Sequence, residues 1–357
     1  MDNTFNFGTL QKNIAIYGAQ MVGVSIYYAL RKIVPESRVV NFIVSDNAGN
    51  PVEIDGIKVV RLDEFEDLDI QILIATPENH HAVIVKDLSR RGFHDYICIN
   101  SDLEAKIMKE YYDCLGIFPS LVDLENGKVK PEVCIYTSKF CKDQKLTTDL
   151  KEKSWIKSIQ AGAALTDIRV AEICDNVGDN ISNKNINYSE LSAMYWIGKH
   201  VEHDYIGLFH YRRVLDICED DIYKLSCNDV DVVLPYPTAH YPSIQEHHKR
   251  YINDSDWEAM QKALEELAPD YAKAMPQIFS DQFFYNYNIL IAKKKIFKQY
   301  CDWMFPILER TEELSIPKGN ERADRYIGYL GENLTTLFFM YHKDDFNIFH
   351  AGRKMLL

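Results

Sequence analysis

Residues 204–215 read DYIGLFHYRRVL. Tyr205 to Phe209 is an apolar run of strand length, and it leads directly into His210, Tyr211, Arg212 and Arg213. Those four groups are costly to bury. The reading of this stretch decides the fold of the second half of the chain. In an open α/β sheet the carboxyl end of a core strand faces the ligand. Two arginines placed there supply planar forks that match phosphate oxygens. Tyr211 adds a ring that stacks or a hydroxyl that donates. His210 donates to a phosphate or titrates near neutral pH. The competing reading pairs one arginine with Asp204 or Asp216.

Other strand-like runs surround it: EVCIYTS (132–138), DVDVVLP (229–235) and NILIA (288–292). Helical patterns fill residues 255–274 and 293–308. The segment NVGDNISNKNINYSELSAMYW (176–196) begins too rich in Gly, Asn, Asp and Ser to pack as an element. Asn187 and Glu190 then stand at capping-box spacing before a helix. A polar loop capped by a helix suits a nucleotide or a sugar, through Asp179, Asn180, Ser182, Lys184 and Asn185, with Thr137 at the end of EVCIYTS. The alternative is a solvated loop. In FSDQFFYNYNILIA, residues Asp281, Tyr285, Asn286, Tyr287 and Asn288 precede or open a strand, and the tyrosines equally suit ordinary packing. In YIGYLGENLTTLFFMYH (326–342) a Gly-rich turn precedes a helix. Glu332 falls near the helix start, where the dipole favours its charge. Glu332 is either a cap or a base that removes the proton of an attacking hydroxyl, with Asp281 the second candidate. His240, His247 and His248 lack an HExxH pattern and suit an acceptor-side loop or a solvated face.

The first hundred residues alternate strand and helix signals. NIAIY (13–17), VVNFIV (39–44), KVV (58–60), QILIAT (71–76) and YICIN (96–100) are strand-like. Val22, Ile26, Leu30 and Ile33 follow helical spacing until Pro35, and residues 102–115 suit a further helix. Such alternation implies a parallel sheet. The first turn, YGAQMVG (17–23), approaches the GxGxxG fingerprint with Gln20 in place of the middle glycine. Gly18 permits the tight turn and Gly23 lets helix and strand pack closely, while the helix N-terminus offers N–H groups to a phosphate. Asp46, ending the second strand, is placed to bind a ribose. A scaffold without ligand and a site for a nucleotide or nucleotide-sugar both remain open at Gly18, Gln20, Gly23 and Asp46. Residues 10–100 resemble the small Rossmann-like domains fused to many bacterial sugar-modifying and sugar-transferring enzymes. Residues 117–131 mix Pro, Gly, Asn and charge and read as a linker.

The 357 residues suggest two domains at about 150 residues each. The apolar fraction of 46% is enough for a real core. A net charge of −13 argues against nucleic-acid binding but leaves room for a local arginine cluster. Eight cysteines without a CxxC pair read as small core residues in a reducing compartment. Neither a signal pattern nor a spanning run is visible, so the expected location is cytoplasmic, with room for work at the inner face of a membrane.

The ordered set AGAALTDIR, GDNISNKNINYSELSAMYW, DYIGLFHYRR, FFYNYNILIAKKKIFKQYCDW and YLGENLTTLF resembles a bacterial domain-of-unknown-function family. That family is encoded in capsule and surface-polysaccharide gene clusters and is grouped with GT-A-type glycosyltransferases, some relatives being assigned as galactofuranosyltransferases. The match covers residues 132–345. The resemblance implies a UDP-sugar donor and a glycan or lipid-linked acceptor. It places His210, Tyr211, Arg212 and Arg213 on the donor diphosphate, the 179–185 loop on the nucleotide or sugar, and Tyr287 and Asn288 near the acceptor. GT-A enzymes carry a DxD motif at the end of the strand equivalent to YIGLF. HYRR stands there instead, so arginine takes over part of the charge neutralisation, and a divalent metal (Mn or Mg) is an open question. The expectation is an α/β chain: a Rossmann-like parallel domain at 1–116, a linker at 117–131 and a GT-A-like mixed α/β domain at 132–357. The alternatives are an NAD(P)-dependent oxidoreductase built on YGAQMVG and a non-catalytic nucleotide-sugar sensor. Oligomeric state is not readable.

Overall fold

A computed structural model describes residues 6–148 and 153–357. The chain divides into two compact units. One runs to Phe118 and includes Thr238–His247; the other comprises Pro119–Pro237 and His248–Leu357.

The first unit is built on β1 (Asn13–Tyr17), β2 (Arg38–Val44), β3 (Glu53–Ile54), β4 (Ile57–Arg61), β5 (Gln71–Ile74) and β6 (Tyr96–Cys98). The sheet order is β3-β4-β2-β1-β5-β6, parallel apart from the β3–β4 hairpin. Beyond that hairpin this is the order of a doubly wound sheet, reversing between β1 and β5. Helix α1 (Met21–Ile33) follows β1, α2 (His81–Arg90) follows β5, and α3 (Ser101–Leu115) packs on α1. Asn100 caps α3 by accepting the Leu103 N–H at 2.9 Å, and Gly116, at φ +67°, ends it. Thr238–Ala239 returns to this unit beside α1, where Ser25 Oγ accepts the Ala239 N–H at 2.8 Å.

The second unit holds a mixed sheet. Its strands are β7 (Val133–Lys139), β8 (Ile156–Gln160), β9 (Ile173–Cys174), β10 (Tyr205–His210), β11 (Arg213–Leu215), β12 (Val232–Pro235), β13 (Leu290–Lys293), β14 (Ile348–Ala351) and β15 (Arg353–Met355). The order is β14-β12-β13-β10-β7-β8-β9, with β11 pairing both β10 and β15. β10 runs parallel to β7 and antiparallel to β13. It is buried on both sides, so its sequence is a continuous apolar run rather than an alternating one. The longer helices of the unit are α4 (Leu191–His200), α5 (Asp254–Leu267), α6 (Pro269–Phe279), α7 (Lys294–Leu314) and α8 (Tyr326–Tyr341), beside shorter ones at Asn185–Tyr188 and Glu219–Cys227.

Three expectations change here. Residues 255–274 are not one helix, because Pro269 forces Ala268 out of the helical region (φ −146°, ψ 61°) and starts α6. From Pro119 onward the segment read as a linker lies in the second unit. Leu121 is buried in its core, and Lys224 Nζ and Asn228 Nδ2 donate to the carbonyls of Val122 (3.1 Å) and Glu125 (2.9 Å). The eight cysteines are free thiols, but they are not all core residues. Cys134 and Cys301 are buried, whereas Cys114, Cys218 and Cys227 are exposed. No helix among the described residues is long and apolar enough to cross a membrane.

Candidate active site

β10 stops because its next residues turn back. His210 pairs antiparallel with Arg213, so Tyr211 and Arg212 form a two-residue turn and the chain re-enters the sheet as β11. β15 then lies against β11, with Met355 opposite Arg213 and Arg353 opposite Leu215. Two arginines far apart in sequence thereby reach one ring. The guanidinium carbons of Arg213 and Arg353 lie 4.3 and 4.9 Å from the centre of Tyr287. Arg212 lies 5.6 Å from the Tyr211 ring, and its backbone carbonyl accepts the Leu356 N–H at 2.8 Å.

Tyr287 is held in an unusual backbone. Tyr287 and Asn288 have φ of +74° and +50°, a left-handed pair without glycine. Such strain persists only where neighbours over-determine it, and here they do. Asn288 Nδ2 donates to Glu190 Oε1 at 2.8 Å and to the Gly328 carbonyl at 3.3 Å, while Asn288 Oδ1 accepts from Thr335 Oγ1 at 3.1 Å. The Tyr287 N–H donates to the Glu332 carboxylate.

The buried charges act on one another. Burial, followed by neighbouring Glu190, pushes the Glu332 carboxyl up to about 8, against the Tyr287 N–H and the fields of Arg213 and Arg325. Burial also raises Glu190, opposed by Asn288, Arg325 and Arg213. The site therefore holds two carboxyls that resist simultaneous ionisation. Arg213 is lowered by burial and by Arg212 and Arg353. Burial and Arg213, Arg212 and Arg325 drive His210 down to about 3. His210 is thus a neutral imidazole, not the group expected to titrate near neutral pH. Asp143 is pushed up to about 6, chiefly by burial, although Arg212 and Arg325 favour its charge. Two polar atoms at this end of β10, His210 Nδ1 and Arg212 Nε, are buried without a hydrogen-bond partner among the described residues. Buried polar atoms of that kind call for an explanation, and an absent ligand is one.

The structure gathers His210, Tyr211, Arg212, Arg213, Tyr287, Asn288 and Glu332 at this end of the sheet. Glu332 is not at a helix start, because α8 begins at Tyr326 and takes both glycines inside it. The reason lies in packing. A Cβ on Gly331 would come to 2.5 Å from the Leu191 Cδ1, and one on Gly328 to 3.3 Å from Ser189 Oγ, so both glycines sit where α8 passes close to residues 189–191. The Asn187–Glu190 capping box is also absent. Asn187 Nδ2 binds the Gly319 and Arg322 carbonyls, and Glu190 turns to Asn288.

The 179–185 loop has a different character. Asp175, fully buried, accepts the N–H groups of Gly162 (2.9 Å) and Ala163 (3.0 Å) and the hydroxyls of Ser182 and Ser192. Asn185 donates to the Ser189 carbonyl and to Ser192 Oγ, Lys184 to Glu312 at 2.7 Å, and Asn180 to the Gly178 carbonyl. Asp179 accepts from Tyr195 at 3.0 Å. These polar groups hold the loop itself together. Thr137 is buried at the end of β7, and its hydroxyl lacks a partner among the described residues. Asp281 is exposed and accepts the Gln282 N–H at 2.6 Å. The histidines are not a solvated face: His240 is buried with its ring 3.8 Å from that of His247, and His248 stacks 3.8 Å over Trp257.

In the first unit, a Cβ on Gly18 would meet the Ala75 carbonyl oxygen at 2.4 Å, and one on Gly23 the Gly18 oxygen at 2.0 Å. Both glycines thus serve close packing of the turn. Gln20 donates to the Gly49 carbonyl (2.9 Å) and to Asn50 Oδ1 (2.7 Å), and Asp46 accepts the Ala48 N–H at 2.9 Å.

Four groups of the arginine–carboxylate cluster escaped the sequence reading: Asp143, Glu190, Arg325 and Arg353. Glu190 was visible only as a cap, and no local pattern marks the others. Among the described residues no group of three or more His, Cys, Asp or Glu is arranged to hold a metal ion.

No curated protein matches the chain. Solved structures that resemble it include the apo structure of the WbbM bifunctional glycosyltransferase, 26% identical with a TM-score of 0.51, over 63% of this chain and 45% of that one. The chain therefore spans less than half of that relative's length. The mannosyltransferase Ktr4p from S. cerevisiae, solved with GDP, is 13% identical over 60% of this chain and 73% of that one. Its TM-score of 0.24 is too low to carry an argument. Residues 141–344, more than half of the chain, match the family described as Domain of unknown function (DUF4422), and the chain belongs to that family.

Proposed function

We propose that the chain is a glycosyltransferase that moves a sugar from a UDP-sugar to a glycan or lipid-linked acceptor of a bacterial surface polysaccharide. Galactofuranose is the sugar that the sequence resemblance suggests. The observation that carries this reading is the arrangement of Arg213 and Arg353 over Tyr287, beside Arg212 and the Glu190–Glu332 pair. Like charges brought this close disfavour one another until an anion joins them. A leaving diphosphate is such an anion, and fixed cations at that point stabilise the charge that develops on it. Similarity to a bifunctional glycosyltransferase supports the same class. In an inverting reaction the acceptor hydroxyl would give its proton to Glu332 as its oxygen bonds the anomeric carbon. The bond from that carbon to the diphosphate would break in the same step. Neutral His210 would donate to a phosphate oxygen without adding charge.

Calorimetric titration with UDP, UDP-sugars and NAD(P)H, with and without manganese, tests this. UDP is expected to bind, and Arg213→Ala to weaken it by about tenfold or more, the scale of a lost charge-assisted pair. Absence of UDP and UDP-sugar binding to the wild-type chain would overturn the reading. Binding of NAD(P)H alone, indifferent to Arg213, would move the function to the first unit.

A further inference from the structure

The proposed donor site occupies the arginine side of Glu332. A feature of different chemistry shares the neighbourhood of the same carboxyl. The rings of Tyr251 and Tyr329 stack with centres 5.3 Å apart and planes 27° from parallel. Tyr251 is 49% exposed, the most open aromatic side chain among the described residues. Tyr329 stands three residues before Glu332 on α8, hence on the same helix face, nearly one turn away. Burial raises the Tyr251 hydroxyl; neighbouring Arg250 opposes the shift, while Tyr287, Tyr329 and Glu332 add to it, so these groups share one neighbourhood.

A half-open aromatic ring backed by a second ring is a poor choice for a solvated surface and a good one for a flat apolar ligand face. A sugar ring has such a face. Its C–H bonds present a positive edge to the negative face of the aromatic ring, while its hydroxyls stay at the rim. The arginines around Tyr287 offer no comparable platform for a sugar. Their side of Tyr287 is already covered by Arg213 and Arg353.

We infer that Tyr251 and Tyr329 form a stacking shelf for a sugar ring of the acceptor, which presents its hydroxyl to Glu332. The inference rests on the transferase reading and gives that site two ends. The arginines take the diphosphate and the tyrosine pair takes the acceptor sugar, with Glu332 acting electrostatically on both Arg213 and Tyr251. A saccharide in the acceptor follows from the stacked pair.

The test is saturation-transfer NMR on the full chain with methyl galactoside, glucoside and mannoside, and methyl galactofuranoside. UDP titration and thermal melting are run on the same samples. Transfer to the ring C–H protons of at least one glycoside is expected with the wild type. Tyr251→Ala and Tyr329→Ala should each weaken that binding by about tenfold or more, as loss of a stacking face does. Tyr251→Phe should keep it, and all three variants should keep UDP affinity. No transfer with any glycoside in the wild type, or unchanged binding in both alanine variants, would overturn the shelf. So would equal loss of UDP and glycoside binding in a variant that melts normally. Failure of UDP binding with glycoside binding intact would remove the transferase reading and leave the shelf standing.

Discussion

Glu332 keeps a proton that an exposed glutamate would have lost, and two consequences follow. First, kcat/KM for transfer should rise with pH up to about 8, because the free enzyme must ionise this group before it can act as base. Glu332→Gln should lower kcat by about 10²–10⁴-fold while leaving UDP affinity in place. A pH–rate profile on both proteins checks this, and a flat profile in the wild type would remove Glu332 from the role. Second, the folded state holds this proton where the unfolded chain has released it. Stability should therefore fall as pH rises from about 4.5 to about 8, the window between the unfolded and folded values. Denaturant midpoints should show that slope shrinking in Glu332→Gln. His210 works in the opposite sense from its usual role: at about 3 it stays neutral through the physiological range and contributes no switch near pH 6–7.

Strand β10 shows how an element positions those residues. Gly207 at its centre is there for room: a Cβ would lie 2.7 Å from the Leu290 carbonyl oxygen and within 3.3 Å of Ile291 and Ile135 side-chain atoms. Backbone in the middle of a sheet cannot yield. Gly207→Ala should therefore destabilise the chain by about 1–3 kcal/mol, the cost of overpacking a filled core, read as a lowered denaturation midpoint. β10 was legible because a central strand is apolar throughout, and its end was legible because four polar groups followed at once. The role of the polar 179–185 loop was not legible for a physical reason. Richness in hydrogen-bonding side chains serves a ligand and a buried hub such as Asp175 equally well, and sequence does not distinguish them. α8 was misread at its start because its glycines, which look like turn residues, lie against Ser189 and Leu191 within the helix packing.

The chain as a whole contains a unit made of two separate stretches. A fragment of residues 1–118 lacks the 238–247 segment that lies against α1 and bonds Ser25. It should melt below a fragment in which residues 238–247 are joined on by a flexible linker, and equal melting temperatures would show that the segment adds nothing to that unit. Composition, periodicity and turn residues determined the α/β class, the parallel first sheet, the central strand and the arginine pair at its end. These depend on neighbours within a few residues, and burial imposes them locally. The company those arginines keep was decided by tertiary structure alone. Arg353 arrives through β15, Glu190 through a loop read as a cap, and Tyr287 through a strained turn. Each is placed by pairing and packing across a hundred residues or so, and the shifted protons exist only because that packing removes water from both carboxyls at once.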